Sequence, residues 1–263
     1  MKHQQILDKL AASRELIRAM DEDLARRTRE VMIGSRGPHV DVMQRLLPPV
    51  MARWRCLLDA ASAHIHTKNI AWVALATLLH KYGFRDEHIT ARALTAIDDL
   101  NKDVVLSDGF ARQSEAIKAF LRSEPTPLTR APRRPRLETF LRVGDVVSIQ
   151  LDGYFHAAYV RELYRDSGGT FPVIEFYQGR FERFPTAEDL TGRSMARECG
   201  RGRFGVIGLT YLPDPANQVV AIGADHLDPP AGAPPKPHHG NCIITDLFRL
   251  QDYIRELFGA GHR

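Results

Sequence analysis

The residues in this chain whose types and spacing could do chemistry are few and scattered. His238-His239-x-x-Cys242 has a local spacing that suits zinc or a softer metal. It lies in a Pro/Gly-rich stretch with no fourth ligand beside it, so an exposed loop is the reading and no metal site is expected. His64-x-His66 would share a metal only on a strand. On a helix, residues two apart point about 200° from each other. Cys199 sits in Glu-Cys-Gly-Arg-Gly-Arg, a basic turn that could lower a thiol pKa, but without a neighbouring base. Cys56 falls next to an apolar stripe and reads as core. There is no Gly-x-Ser-x-Gly elbow, and Gly200-Arg201-Gly202-Arg203 lacks the phosphate-loop lysine. Acid pairs such as Asp98-Asp99 and Glu188-Asp189 are what solvated helix faces carry. The expectation is therefore a protein without catalytic residues, metal or cofactor, and not an enzyme.

The elements that must position any site divide into two kinds. The first half reads as five or six helices. Ile6, Leu10, Ile17, Met20, Leu24 and Val31 form one stripe on a long first helix, ended by Gly34 and Gly37. Val50, Trp54, Leu57, Leu58, Ala61 and Ile65 form the face of a second, with Pro48-Pro49 in its first turn. A third, capped by Thr67 and ending near Gly83, is apolar nearly all round (Ile70, Trp72, Val73, Leu75, Leu78, Leu79) and should be central. A fourth carries Ile89, Ala93, Ile97 and Leu100, and a fifth, after Ser107-Asp108, carries Phe110, Ile117 and Leu121. Pro125, Pro127, Pro132 and Pro135 then exclude regular helix. With Arg130, Arg133, Arg134 and Arg136 they make a basic, Pro-rich segment that reads as a solvated linker, with a phosphate-contacting strap as the alternative.

The second half reads as β-structure. Val147, Ile149 and Leu151 alternate along the first strand. Asp152-Gly153 is a two-residue hairpin signal, because both turn positions need φ > 0. That loop pairs Leu151 with Tyr154, Ile149 with His156 and Val147 with Ala158. It leaves Phe155 and Tyr159 on the outer face. One bulge at the turn would exchange the faces and expose His156. Later strands are expected at 171–177, 180–184, 204–212 and 219–222, with a short helical turn capped by Thr186. A last amphipathic helix, capped by Thr245, carries Leu247, Leu250, Ile254, Leu257 and Phe258 and should dock back on the protein. The predicted fold class is α+β: an N-terminal helical bundle, then a strongly bent antiparallel sheet or small barrel, then a C-terminal helix. The domains are 1–122, a Pro/Arg-rich linker at 123–137, a β domain at 138–228, and a Pro-rich segment with the final helix at 229–263.

The bulk numbers fit two ordinary domains. The chain has 263 residues, 44% hydrophobic and 26% charged, with net charge +4. Residues 1–137 hold 23 Lys and Arg against 16 Asp and Glu, and the remainder holds 13 against 16. An acidic β half opposes a polyphosphate partner, so nucleic-acid binding, if present, would use the helical half and the linker. Three scattered cysteines form no disulfide framework. The first residues lack an apolar signal core, and the longest near-apolar run, 70–79, is too short to span a bilayer. Cytoplasmic location is expected, without a membrane partner.

Val143-Gly144-Asp145-Val146-Val147, Gly153-Tyr154 through Ala157 and Val160, Val173-Ile174-Glu175-Phe176-Tyr177, and Phe184-Pro185-Thr186 through Leu190 together resemble a bacterial immunity-protein domain of the immunity protein 26 type. Such domains accompany polymorphic, contact-delivered toxins, including those of type VI secretion. The likeness covers about 140–228. It implies a non-enzymatic protein that binds and neutralises one cognate toxin. It carries no catalytic residues over. Candidate partner-binding residues are Phe155, Tyr159, Glu175, Tyr177, Gln178, Arg180, Glu182 and Arg183. The alternatives are a nucleic-acid-binding or regulatory module, and an enzyme in which His156 and Glu175 converge in a pocket.

Overall fold

A computed structural model describes residues 1–10, 13–34, 42–102, 108–197, 202–223, 227–233 and 242–259. His238, His239, Cys199, Gly200, Arg201, Gly37 and Ser107 lie outside them. The chain divides into two compact units, residues 1–50 with 57–135, and residues 51–56 with 136–263.

The first unit holds helices α1 (His3–Lys9), α2 (Arg14–Gly34), α3 (Val42–Leu58), α4 (Ile65–Lys81), α5 (Glu87–Lys102) and α6 (Asp108–Arg122), with residues 51–56 of α3 counted in the second unit. α4 is buried without interruption from Asn69 to His80 and touches α1, α2, α5 and α6. An apolar run with no polar face can only sit centrally. Three expectations need correction. The first stripe is shared by two helices, because α1 ends at Lys9 and α2 starts at Arg14. Its members Ile6, Leu10, Met20, Leu24 and Val31 are nonetheless all buried. Pro48 and Pro49 lie inside α3, which starts earlier at Val42 and stops at Leu58, leaving Ile65 exposed. α4 is capped by His64, whose Nδ1 accepts the His66 N–H at 3.2 Å, rather than by Thr67.

The second unit is a mixed sheet packed by one helix. Its strands are β1 (Leu137–Glu138), β2 (Val146–Leu151), β3 (Tyr154–Asp166), β4 (Gly169–Phe176), β5 (Arg203–Ile207), β6 (Val219–Ala221) and β7 (Ile243–Asp246); the helices are α7 (Ala187–Leu190) and α8 (Leu247–Phe258). The order β6-β2-β3-β4-β5-β7 is an open path, so the sheet does not close into a barrel. Nor is it purely antiparallel: β1 pairs β4 and β5 pairs β7 in parallel. The long connection from Ile207 to Ile243 provides the crossover that parallel pairing needs. The expected strand at 180–184 is reduced to a single bridge between Phe155 and Phe181.

The hairpin register is the one read from Asp152-Gly153, with Leu151 opposite Tyr154, Ile149 opposite His156 and Val147 opposite Ala158. Asp152 and Gly153 both take positive φ, 51° and 83°. A bulge in β3 falls farther on, between Val160 and Glu162, where it bends the strand without exchanging the faces. Val147, Ile149, Ala158, Val160, Ile174, Phe176 and Phe204 form a core with Leu247, Leu250, Ile254 and Leu257 of α8. Asp246, not Thr245, caps α8, accepting the Phe248 and Arg249 N–H groups at 2.8 Å each. Among the described residues no helix is long and apolar enough to cross a membrane.

Candidate functional site

The opposite face of the sheet is also covered, and this decides which of the expected partner-binding residues are accessible. β4 ends at Phe176, and residues 177–197 loop back across that face. Phe155 N–H donates to Phe181 O at 2.8 Å, and Phe181 N–H donates to Phe155 O at 2.9 Å. Ala196 N–H donates to Phe176 O at 2.9 Å, and Met195 N–H to Ala231 O at 3.0 Å. Thr186 caps α7 in a capping box with Asp189, as its sequence predicts. Leu190 of α7 is buried with Val146, Ala157, Tyr177 and Ile222, and Tyr159 and Phe181 pack against them. The expected outer face is thus a second core.

Glu175 and Tyr177 are corrected accordingly: both are buried, and neither can touch a partner. Glu175 is 0% exposed and pairs with Arg203 through Oε1 and Nε at 2.5 Å. Its other oxygen has no hydrogen-bond partner among the described residues, nor does Ser148 Oγ. Tyr177 donates its hydroxyl to Asp228 O at 2.7 Å. Burial first, and then Tyr159 and two carboxylates nearby, push its phenol well above its ordinary value. β3 and β4 place Tyr159 opposite Glu175, and β5 continues the row with Arg203. His156 lies on the other face. It is buried against the Phe258 ring, centroids 4.7 Å apart. Burial dominates its environment and lowers its pKa to about 4, over a smaller upward pull from Asp152. Because side chains alternate across a strand, His156 and Glu175 cannot converge in one pocket. The enzyme alternative loses that pair.

Accessible groups gather where residues 178–184 pass the start of β3. Gln178, Arg180, Glu182, Arg183 and Phe184 are exposed, and Tyr154, Phe155, Tyr159 and Phe181 are half-buried. Arg180 lays its guanidinium over the Tyr154 ring, 4.5 Å from the centroid, and Arg193 covers Phe181 at 4.8 Å. Phe155 and Phe184 meet edge to face at 6.1 Å. Arg193 is fixed by donating to Gln178 O at 3.1 Å and to Asp189 O. Arg183 Nη2 holds Asp189 Oδ1 at 2.9 Å. The Asp189 carboxyl sits below its ordinary pKa, chiefly through the Thr186 N–H and hydroxyl and then through Arg183. A guanidinium stacked on a ring keeps its in-plane N–H groups free, so Arg180 can take a carboxylate while Tyr154 buries its other surface. The chemistry offered is recognition.

Tyr154 and Phe184 were missed as binding residues, Tyr154 because alternation placed it on the inner face. The interleaving of Arg180 and Arg183 with Phe181 and Phe184 was the available signal. Cys242, the described end of the His/Cys motif, has its thiol pushed up by burial first and Glu162 second. A protonated thiol is a poor ligand and nucleophile. Among the described residues no three His, Cys, Asp or Glu side chains gather as metal ligands. Compared with known protein families, characterised proteins and solved structures, the chain finds no match.

Proposed function

We propose that this chain is an immunity-type protein that binds a cognate bacterial toxin in the cytoplasm and neutralises it by direct contact, without catalysing a reaction. The observation that carries this reading is the arginine–aromatic surface of Tyr154, Phe155, Arg180 and Phe184 on the second unit. Arg and Tyr are enriched at the energetic centres of protein interfaces. Here they are already stacked on one another, so little side-chain freedom is left to lose on binding. The motifs of 140–228 that read as immunity-like in the sequence are consistent with this proposal, although no family model matches them.

The direct test is co-expression with the toxic C-terminal domain encoded in the neighbouring reading frame. Rescue of growth and co-purification are expected. The double substitution R180A/F184A is expected to weaken the complex by about 2–4 kcal/mol, which corresponds to roughly 30- to 1,000-fold in Kd. Absence of both rescue and co-purification would overturn the proposal.

A further inference from the structure

The first unit carries a second surface of different chemistry. After α6 ends at Arg122, residues 123–135 run without helix or strand. Side chains of the bundle hold this segment in place. Arg85 donates to Arg122 O at 2.7 Å and pairs with Glu124 at 2.8 Å. Arg29 of α2 donates to Pro132 O at 3.0 Å. The segment is therefore a strap fixed to the bundle at both ends. Arg130, Arg133 and Arg134 are exposed on it, with no hydrogen bond or ion pair to any described residue. No Asp or Glu occurs between Glu124 and Glu138 to neutralise them.

We propose that the 129–135 strap binds the phosphate backbone of nucleic acid without regard to sequence. Three features of the segment choose this partner. Residues 129–135 read Thr-Arg-Ala-Pro-Arg-Arg-Pro and offer no large apolar side chain. A membrane surface needs an apolar insertion or a lipid anchor besides basic charge. Arginines at the centre of a protein interface work beside aromatic or aliphatic side chains, and the segment supplies none. A string of guanidinium groups on a proline-stiffened backbone needs only a string of anions. Each of the three exposed guanidinium groups can meet one phosphate, so the strap neutralises about three. With no aromatic on the strap, bases are neither stacked nor read. The strap belongs to the first unit, and the residues assigned to the toxin belong to the second.

The test is fluorescence anisotropy of the full chain with a labelled, mixed-sequence duplex of about 20 bp at several salt concentrations between about 50 and 200 mM. Neutralising about three phosphates predicts a log–log salt slope near −2.7, a loss of roughly 40-fold in affinity across that range. R130A/R133A/R134A is expected to lose about tenfold or more at the lowest salt and to flatten the slope. These side chains make no hydrogen bond or ion pair to any described residue, so circular dichroism should be unchanged. R130K/R133K/R134K is expected to retain the slope. The proposal is overturned by absence of duplex binding at about 50 mM salt, or by equal affinity and slope in the alanine variant. It is also overturned if the arginines support binding to phosphatidylserine vesicles but not to DNA. Loss of toxin binding in R180A/F184A leaves this result untouched.

Discussion

Glu175 and Arg203 show how much a single buried pair constrains this protein. Removing one partner of a desolvated ion pair strands a charge and costs about 3–5 kcal/mol, whereas replacing both with apolar residues costs far less. Glu175→Ala is therefore expected to destabilise by about 3–5 kcal/mol and E175L/R203L by much less, measured by urea denaturation. Glu182→Ala, on the exposed loop, should stay within about 0.5 kcal/mol. Equal effects of the Glu175 and Glu182 substitutions would show that the pair is not buried in solution. His156 makes a pH prediction. Its folded pKa, about 4, lies below the ordinary 6.5, so the native state resists the proton that the unfolded state accepts. The stability it supports is complete above pH about 6.5 and falls as pH drops toward 4, by on the order of 3 kcal/mol. His3 and His80, both lowered chiefly by burial, act with the same sign in the first unit. His156→Phe should thus reduce the fall in urea midpoint between pH 7 and 4.5 without abolishing it. An unchanged fall would mean that His156 is hydrated in the native state.

At the scale of elements, the close pairing of β1 with β4 rests on Gly169. It has φ 128°, and a Cβ there would come 1.8 Å from Leu137 O. Gly169→Ala cannot be accommodated while Leu137 stays opposite Gly169. We expect a loss of about 3 kcal/mol or more, with faster amide exchange at Leu137 and Thr139, which donate to Gly168 O and Thr170 O. Exchange rates like the parent's would contradict the pairing. β1 was invisible to pattern reading, because two residues contain no alternation. β7 was invisible for a related reason. Its four residues pair with β5 only after a long crossover, and Thr245 at its end resembles a helix cap. The β2–β3 hairpin was legible because its pairing is local and Asp152-Gly153 sets the register. α4 was legible because an all-apolar helix has one possible place. The error over Glu175 and Tyr177 also has a physical cause. Alternation places a side chain on a face but does not reveal that residues 177–197 return to cover it. The exposure of Arg180 and Arg183 was legible because charge on a loop stays in water whatever the topology.

At the scale of the whole molecule, the second unit is not one stretch of sequence. Residues 51–56 of α3 belong to it. Arg53 reaches Asp214 by two hydrogen bonds, 2.8 and 3.0 Å, with both side chains about 3% exposed. The same carboxylate accepts the N–H groups of Ala216, Gln218 and Val219. It organises the turn that delivers β6 to β2. A division at the proline-rich linker, natural from sequence alone, would therefore remove the only arginine that meets this carboxylate among the described residues. A fragment of residues 136–263 keeps every strand and α8 but leaves Asp214 buried without its cation. Its sheet should unfold at a markedly lower urea concentration than in the intact chain, with a deficit of about 3–5 kcal/mol. Asp214→Asn in the fragment should recover part of that deficit, because an amide still accepts N–H bonds without stranding a charge. In the intact chain the same substitution should instead destabilise, since it removes the buried Arg53–Asp214 ion pair. Opposite signs in the two backgrounds separate this account from a general cost of truncation. Matching signs would mean that Arg53 is not what the fragment lacks.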